Sequence, residues 1–418
     1  MGGGGLPDLP APAAAPHPVP QSVATGVPVC PAILLPRIKH CPVNDYDLAV
    51  VGGGLAGLSL LYHFERAGRL HGKRVLLVDP ERKTAHDRTW SFWERGEGPF
   101  EDIVYHRWNR VALLNATSHC TCDLRPYTYK LIRSTEFYAK VNAVVDGIAG
   151  LTHLSARATE LQNTPQGASF VADGKTYTAQ RVYSSLPRPL DYRQVKEPYL
   201  DQHFRGWFVE TDTEVFDPAL ATFMDFRTPQ AGETRFFYVL PFTPRRAVVE
   251  LAIFGNHHLL TEEYDALLRD YIATRWTRDG YRITHTESGN IPMTTYPFPQ
   301  QDGNLIYIGL GGGAARPSTG YTFYGLQRQL AQMAEDFPAP AVTAPWTRRH
   351  LTYDATLLRI LQRNELPGDK VFVDLFRRNP PARVLAFLNG ESSLLDELRL
   401  MATVPVGPFA RNFLREVL

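Results

Sequence analysis

The chain contains no stretch of about 18 uninterrupted apolar residues, so no membrane-spanning helix is predicted. Peripheral contact with a bilayer leaves no such mark and stays open. Neither sign of charge is in excess: Lys and Arg number 44, Asp and Glu 43, and the formal net charge is +1. With no basic run either, no field attracts nucleic acid, and no nucleic-acid partner is expected. Cysteine is scarce: Cys30, Cys41, Cys120 and Cys122 have no metal-ligand spacing with nearby histidines, so no metal site is expected. They read as unpaired thiols of a reducing, cytoplasmic compartment, with Cys120 and Cys122 alternating onto one face of a strand. His203, His257 and His258 show neither triad nor metal spacing, and no internal repeat is visible.

What is present is a composition with ample core, 44% hydrophobic and 21% charged, and a length of 418 residues that suits two or three lobes. The strongest motif runs from Tyr46 to Gly57. The apolar run Leu48-Ala49-Val50-Val51 ends in Gly52-Gly53-Gly54-Leu55-Ala56-Gly57, and an apolar helical pattern follows from Leu58 to Phe64. A second apolar run, Val75-Leu76-Leu77-Val78, ends in Asp79. This is the βαβ dinucleotide fingerprint in context. Gly52 permits the tight turn, Gly54 lets the backbone approach a pyrophosphate, and Gly57 lets helix and strand pack closely. The helix start offers N–H groups and a positive dipole end to phosphates, and Asp79 is placed to accept from a ribose.

Residues 1–44 are rich in Gly, Pro and Ala and cannot bury a core; they read as a disordered N-terminal extension or as an over-early start. The expected architecture is α/β. A discontinuous Rossmann-type FAD-binding domain spans residues 45–190 and 296–330. A substrate-binding sheet domain occupies 191–295, and a helical C-terminal region occupies 331–418. A helix is predicted from Ser134 to Val145 and a hairpin at Asp173-Gly174. Strands are predicted at Trp207–Glu210, Phe236–Leu240, Ala247–Ile253 and Asn304–Ile308. A dinucleotide unit at one end with a glycine-rich turn some 250 residues later suits a flavoprotein better than a dehydrogenase with consecutive nucleotide halves.

That late turn runs Gly309-Leu310-Gly311-Gly312-Gly313, then Ala314-Ala315-Arg316-Pro317-Ser318-Thr319-Gly320-Tyr321. Glycines there let main chain lie against a flat ring system, and Ser318 or Thr319 is placed to cap a helix carrying Tyr321 to Leu330. A second cluster, Asp87-Arg88-Thr89-Trp90-Ser91-Phe92-Trp93, packs three aromatic rings and an ion pair into seven positions. Such rings read either as core or as flat walls for a long apolar ligand.

Together these motifs, with Ile291-Pro292-Met293 and the tail's Phe372, Phe376, Phe387 and Leu388, resemble the lycopene β-cyclases of carotenoid biosynthesis. The resemblance covers nearly everything from Asp45 onward. It implies bound FAD, kept reduced by NAD(P)H, and conversion of the linear ψ-ends of lycopene to β-ionone rings with no net redox change. It also implies a carotenoid substrate. The cofactor contacts it suggests are Gly52, Gly53, Gly54, Leu55, Ala56, Gly57, Asp79, Gly309, Gly312, Pro317, Ser318, Thr319 and Gly320. Trp90, Phe92, Trp93 and Tyr321 would meet the substrate. Arg133, with Tyr129 and Ile132, matches a family motif ahead of a helix; its planar fork suits a phosphate or a surface ion pair equally.

The reaction needs a carboxylic acid in an apolar pocket, where desolvation favours the neutral, proton-donating form. Glu250, inside Val248-Val249-Glu250-Leu251-Ala252-Ile253, is the first choice, and Glu210, in Trp207-Phe208-Val209-Glu210, is the second. The segment departs from the family's Phe-Leu-Glu-Glu-Thr-like form, having one glutamate followed by leucine. Two further readings share the architecture or the ligand. One is an FAD-dependent monooxygenase or prenyl reductase, which commonly carries Gly-Asp where this chain has Gly309-Leu310; the other is a non-catalytic flavin and carotenoid carrier. A long apolar substrate comes from a membrane, so peripheral attachment through Val384–Leu388 and Leu394–Met401 is expected.

Overall fold

A computed structural model describes residues 44–187, 191, 194–338 and 342–417. All of the predicted N-terminal extension but its last residue, Asn44, therefore lies outside the described residues, together with Cys30 and Cys41.

Along the chain, β1 (Tyr46–Val51), α1 (Leu55–Arg66) and β2 (Val75–Val78) form the βαβ unit. There follow β3 (Thr89–Arg95), β4 (His106–Trp108), β5 (Arg110–Leu114), β6 (His119–Asp123), β7 (Tyr127–Arg133) and α2 (Ser134–Val145). Next come β8 (Leu151–Leu154), β9 (Ala158–Thr164), β10 (Gly167–Ala172) and β11 (Lys175–Ser184). The aromatic middle supplies β12 (Tyr199–Thr211), β13 (Leu220–Asp225), β14 (Thr234–Thr243), β15 (Arg246–Gly255), α3 (Thr261–Arg275) and β16 (Tyr281–Thr294). After β17 (Gln301–Asp302) and β18 (Leu305–Tyr307) the chain is helical: α4 (Phe323–Asp336), α5 (Arg348–Gln362), α6 (Gly368–Arg378), α7 (Pro381–Leu388), α8 (Leu394–Met401) and α9 (Val406–Val417).

The first sheet runs β17-β18-β11-β1-β2-β8, with β10 and β9 paired in succession beyond β11. β1 pairs in parallel with both β2 and β11 and so lies inside the sheet, and because both its faces are packed its sequence is an unbroken apolar run. Leu48 and Val50 pack with α1 and α2, while Ala49 and Val51 face the opposite layer with Phe170 and Leu305. Two glycines are fixed by close approach. Gly52 has φ of +100°, and a Cβ there would lie 2.1 Å from Ser185 Oγ. A Cβ at Gly57 would lie 1.9 Å from the Gly52 carbonyl oxygen, so only glycine lets α1 sit this close to the loop.

The second sheet runs β16-β12-β15-β14-β13-β5-β6. Alternation assigns its faces. Trp207, Val249, Leu251 and Ile253 pack beneath α3 with Leu268 and Ile272. The other face carries Phe236, Leu240, Val248, Ala252 and Phe254, joined by the C-terminal residues Phe372, Val384 and Phe387. Residues 110–123 were read from sequence as part of the dinucleotide-binding stretch, yet as β5 and β6 they complete this second sheet, β5 lying parallel to β13. Cys120 and Cys122 do share a face of β6, their Sγ atoms 3.4 Å apart. A third, three-stranded sheet, β3-β7-β4, carries the aromatic cluster.

Of the two segments expected to touch a bilayer, Val384–Leu388 is built into the core, Val384 and Leu385 having no exposed surface. Leu394, Leu395 and Leu398 on α8 and Val406, Leu414 and Val417 on α9 are instead exposed. No helix among the described residues is long and apolar enough to cross a membrane.

Candidate active site

Two adjoining cavities lie between the sheets and the C-terminal helices. One, of about 540 Å³, is lined by Gly54, Leu55, Ala56, Trp90, Glu250, Glu287, Gly309, Leu310, Thr319, Gly320 and Tyr321 among others. The second, of about 350 Å³, is walled by Phe223, Phe236, Phe372, Phe376, Phe409 and Phe413 with Trp93 and Ser318. Gln202, Tyr238, Thr319 and Tyr321 line both and mark the junction.

The first cavity has the donor chemistry for a dinucleotide. α1 begins at Leu55 with no side-chain cap at Gly54 and no acid in its first turn. Its leading N–H groups have no intrahelical acceptors and point where a pyrophosphate would sit. A Cβ at Gly54 would meet nothing within 4 Å, so this edge of the loop is open to the cavity. Asp79, half-buried at the end of β2, does not line the cavity; its Oδ2 accepts from Gly53 N at 2.7 Å and holds the loop in shape. Gly52, Gly53 and Gly57 likewise shape the loop from behind.

At the late turn the backbone makes a short 3-10 turn over Gly309–Gly312. Gly312 is turned away from the cavity: a Cβ there would lie 2.4 Å from the Tyr307 carbonyl oxygen. Pro317 is buried and Gly320 has φ of +72°, with Gln202 Oε1 occupying the space a Cβ would need. The capping expected of Ser318 or Thr319 is not found. The helix starts at Phe323, two residues past Tyr321, with Thr322 as an N-cap whose side chain takes no bond from the helix and donates instead to the Gly320 carbonyl at 3.0 Å. Thr319 Oγ1 instead accepts from Tyr321 N at 3.3 Å and closes a local turn. The loop is anchored from below by Arg316, whose Nε lies 2.6 Å from Asp354 Oδ2 on α5, both side chains 1% exposed. Arg316 also lies over the Trp346 ring, 4.8 Å from its centroid.

The aromatic cluster divides three ways. Trp90 lines the first cavity, Trp93 lines the second, and Phe92 stacks on Phe323 at 4.7 Å inside the core, away from both. Trp93 meets Tyr321 edge-on at 4.5 Å and donates from Nε1 to the Leu385 carbonyl at 3.1 Å. Tyr321 Oη lies 2.6 Å from Tyr238 Oη and 3.0 Å from Tyr129 Oη, closing a buried phenol triad at the junction. Burial drives all three phenols upward, Tyr129 to about 12, so they stay neutral hydrogen-bonding groups.

Glu250 sits on β15 facing this junction. It is in register with Tyr238 on β14 and with Gly206 on β12, and Gly206 in turn is in register with Glu287 on β16. One row across four strands thus reads Tyr238, Glu250, Gly206, Glu287. Withdrawal from water, and then the neighbouring Glu287 charge, raise the Glu250 carboxyl well above its ordinary value. Glu287 is pushed up to about 7 by desolvation, opposed by a hydrogen bond from Thr89 and the charge of Arg88. Desolvation and the Glu287 charge both favour the protonated, neutral form of Glu250.

Glu210 is placed elsewhere, at the rim of the same sheet, paired with Arg282 at 2.9 Å and outside both cavities. Arg133 is also outside them: it is ion-paired with Glu136 and lies over the Tyr105 ring, 3.9 Å from its centroid, the surface-pair alternative. Sequence reasoning missed Glu287. The available signal was Gly206, a lone glycine inside an otherwise bulky strand, which marks close approach by neighbours.

Sheet order, glycine loop and junction define the class. This is the α/β fold of FAD-dependent oxidoreductases with a helical C-terminal region. The geranylgeranyl bacteriochlorophyll reductase-like protein of Thermoplasma acidophilum superposes with a TM-score of 0.56 at 12% identity, covering 89% of this chain and 99% of that one. A flavoprotein/dehydrogenase from Cytophaga hutchinsonii gives 0.60 at 11%, covering 89% and 100%. At the level of sequence, residues 47–414 match the family described as lycopene cyclase protein, and the chain belongs to that family. It is 25% identical over 66% of its length to neoxanthin synthase of Solanum tuberosum, of which it spans 57%. It is 24% identical over 82% of its length to lycopene beta cyclase of Arabidopsis thaliana, spanning 67% of that protein.

Proposed function

We propose that this protein cyclises the linear ψ-end groups of lycopene to β-ionone rings without net oxidation or reduction, with FAD held reduced by NAD(P)H. The observation that carries this reading is the place of Glu250: a neutral carboxylic acid where a cavity suited to a dinucleotide meets one walled by phenylalanines. The apolar cavity suits a polyene, and its end group would lie against the junction. Glu250 donates its proton to the terminal double bond, the tertiary cation is attacked by the next double bond, and loss of a ring proton restores the balance. The faces of Trp90, Trp93 and Tyr321 attract a cation by roughly 0.5–2 kcal/mol each. When bound, reduced FAD would supply a fixed negative charge beside the cation. Gly54, Leu55 and Ala56 would receive its pyrophosphate, and Gly309, Thr319 and Gly320 would border its ring.

We assign flavin binding to the first sheet, substrate binding to the second, and entry to the helical region. The exposed leucines of α8 and the apolar edge of α9 suit a protein resting on the cytoplasmic face of a bilayer. The test is incubation with lycopene, FAD and NADPH, with and without oxygen. Ring formation independent of oxygen supports the cyclase. An oxygen-dependent hydroxylated product would point to a monooxygenase, a saturated product to a prenyl reductase, and bound but unaltered lycopene to a carrier.

A further inference from the structure

Gly206 creates a notch between two carboxyls. The position its Cβ would take lies 3.1 Å from Glu250 Oε2 and 3.3 Å from Glu287 Cγ, so the side chains close over the same empty point from opposite sides. Any larger residue there would hold them apart. The Glu287 charge opposes ionisation of Glu250 across this notch, so the pair resists carrying two charges at once.

Their surroundings are unequal. Glu287 accepts from the Thr89 hydroxyl and feels the charge of Arg88, both of which favour its anion. Among the described residues no cation offsets the burial of Glu250. The other titratable groups about the pair are the phenols Tyr238 on β14, Tyr129 on β7, Tyr138 on α2 and Tyr321 before α4, with Asp87 and Lys83 on the cavity wall before β3. A chain of polar atoms also leads outward from Glu287. Thr89 Oγ1 lies 3.3 Å from His86 Nε2, and the half-buried His86 ring stacks on His285 at 4.5 Å.

We propose that Glu287 is a positioning residue for Glu250: its carboxylate, set against Glu250 across the Gly206 notch, confines their shared proton to Glu250, and Thr89 and His86 connect the pair to the outside. The activity arm of its test rests on the cyclase reading above. Glu287→Gln removes the neighbouring charge, so Glu250 ionises more readily and the alkaline limb of the kcat profile moves down by about one pH unit or more. Glu287→Asp keeps the charge and keeps the limb near its original position. A purely structural role would lower turnover at every pH and leave the limb where it was, and that result would overturn the proposal.

An independent arm needs no turnover. In an infrared titration of the flavin-loaded protein without substrate, the protonated-carboxyl band should fall in two steps. Glu287→Gln should leave one step at lower pH than the upper step of the unsubstituted protein, and Glu250→Gln should abolish that upper step. A single step in the unsubstituted protein, or an upper step indifferent to Glu287, would refute proton sharing. If lycopene is not cyclised but the two steps are seen, the cyclase reading fails and the shared proton stands. Should Glu287→Gln fold poorly, the two-step titration of the unsubstituted protein and the loss of its upper step in Glu250→Gln still decide.

Discussion

On the proposed reading Glu250 is the residue on which most depends, and its surroundings follow from its parity on β15. One position along the strand, it would face α3 with Val249 and Leu251; at 250 it faces the junction. Replacing it by Gln keeps the shape and removes the acid. We expect Glu250→Gln to lower ring formation by roughly 10²–10⁴-fold, the range for loss of a general acid, while flavin absorbance of the purified protein is unchanged. Near-normal turnover would remove Glu250 from the mechanism. The pair also links stability to pH. Glu287 is raised from 4.5 to about 7 on folding, so the native state holds more protons than the unfolded chain between those values. This contribution is complete below about 4.5 and is lost as pH rises through about 7. Glu287→Gln should flatten the fall of the denaturation midpoint across that window, measured by chemical unfolding at a series of pH values.

At the level of elements, legibility from sequence followed how local the cause was. β1, α1 and β2 were readable because a fingerprint of contiguous residues builds them, and α2 was predicted at the bounds it takes, Ser134–Val145. Glu250 was readable because an acid inside an apolar strand is anomalous on its face. Glu287 was not, since β16 reads as polar and its meaning comes only from pairing with β12. The joining of β5 and β6 to the second sheet is equally non-local: the partner of β5 is β13, some 110 residues on. The late loop was readable as glycine-rich, but its anchor, Arg316 on Asp354, required knowing where α5 packs. Asp354→Ala strands a buried guanidinium, and a loss of about 3–5 kcal/mol in unfolding free energy is expected. A denaturant titration checks it, and a loss below about 1 kcal/mol would mean that water reaches Arg316.

For the molecule as a whole, the two sheets and the C-terminal helices meet at one junction, and the apolar cavity leads from there toward α8 and α9. Leu398 lines that cavity and is also exposed on the surface beside Leu394 and Leu395. Substituting Glu for Leu394 and Leu395 together should reduce co-sedimentation with phospholipid vesicles severalfold without altering the far-ultraviolet spectrum. Equal sedimentation of the variant would place the membrane contact on another face.

The row of Tyr238, Glu250, Gly206 and Glu287 occurs once in the described chain, whereas a lycopene molecule has two identical termini. One workbench serves a rod with two like tips. On the proposed reading the rod must be withdrawn, turned end for end and reinserted between the two closures. The half-finished, one-ringed product is thus a free species that competes with fresh substrate for re-entry, and its peak should grow as lycopene is supplied in excess.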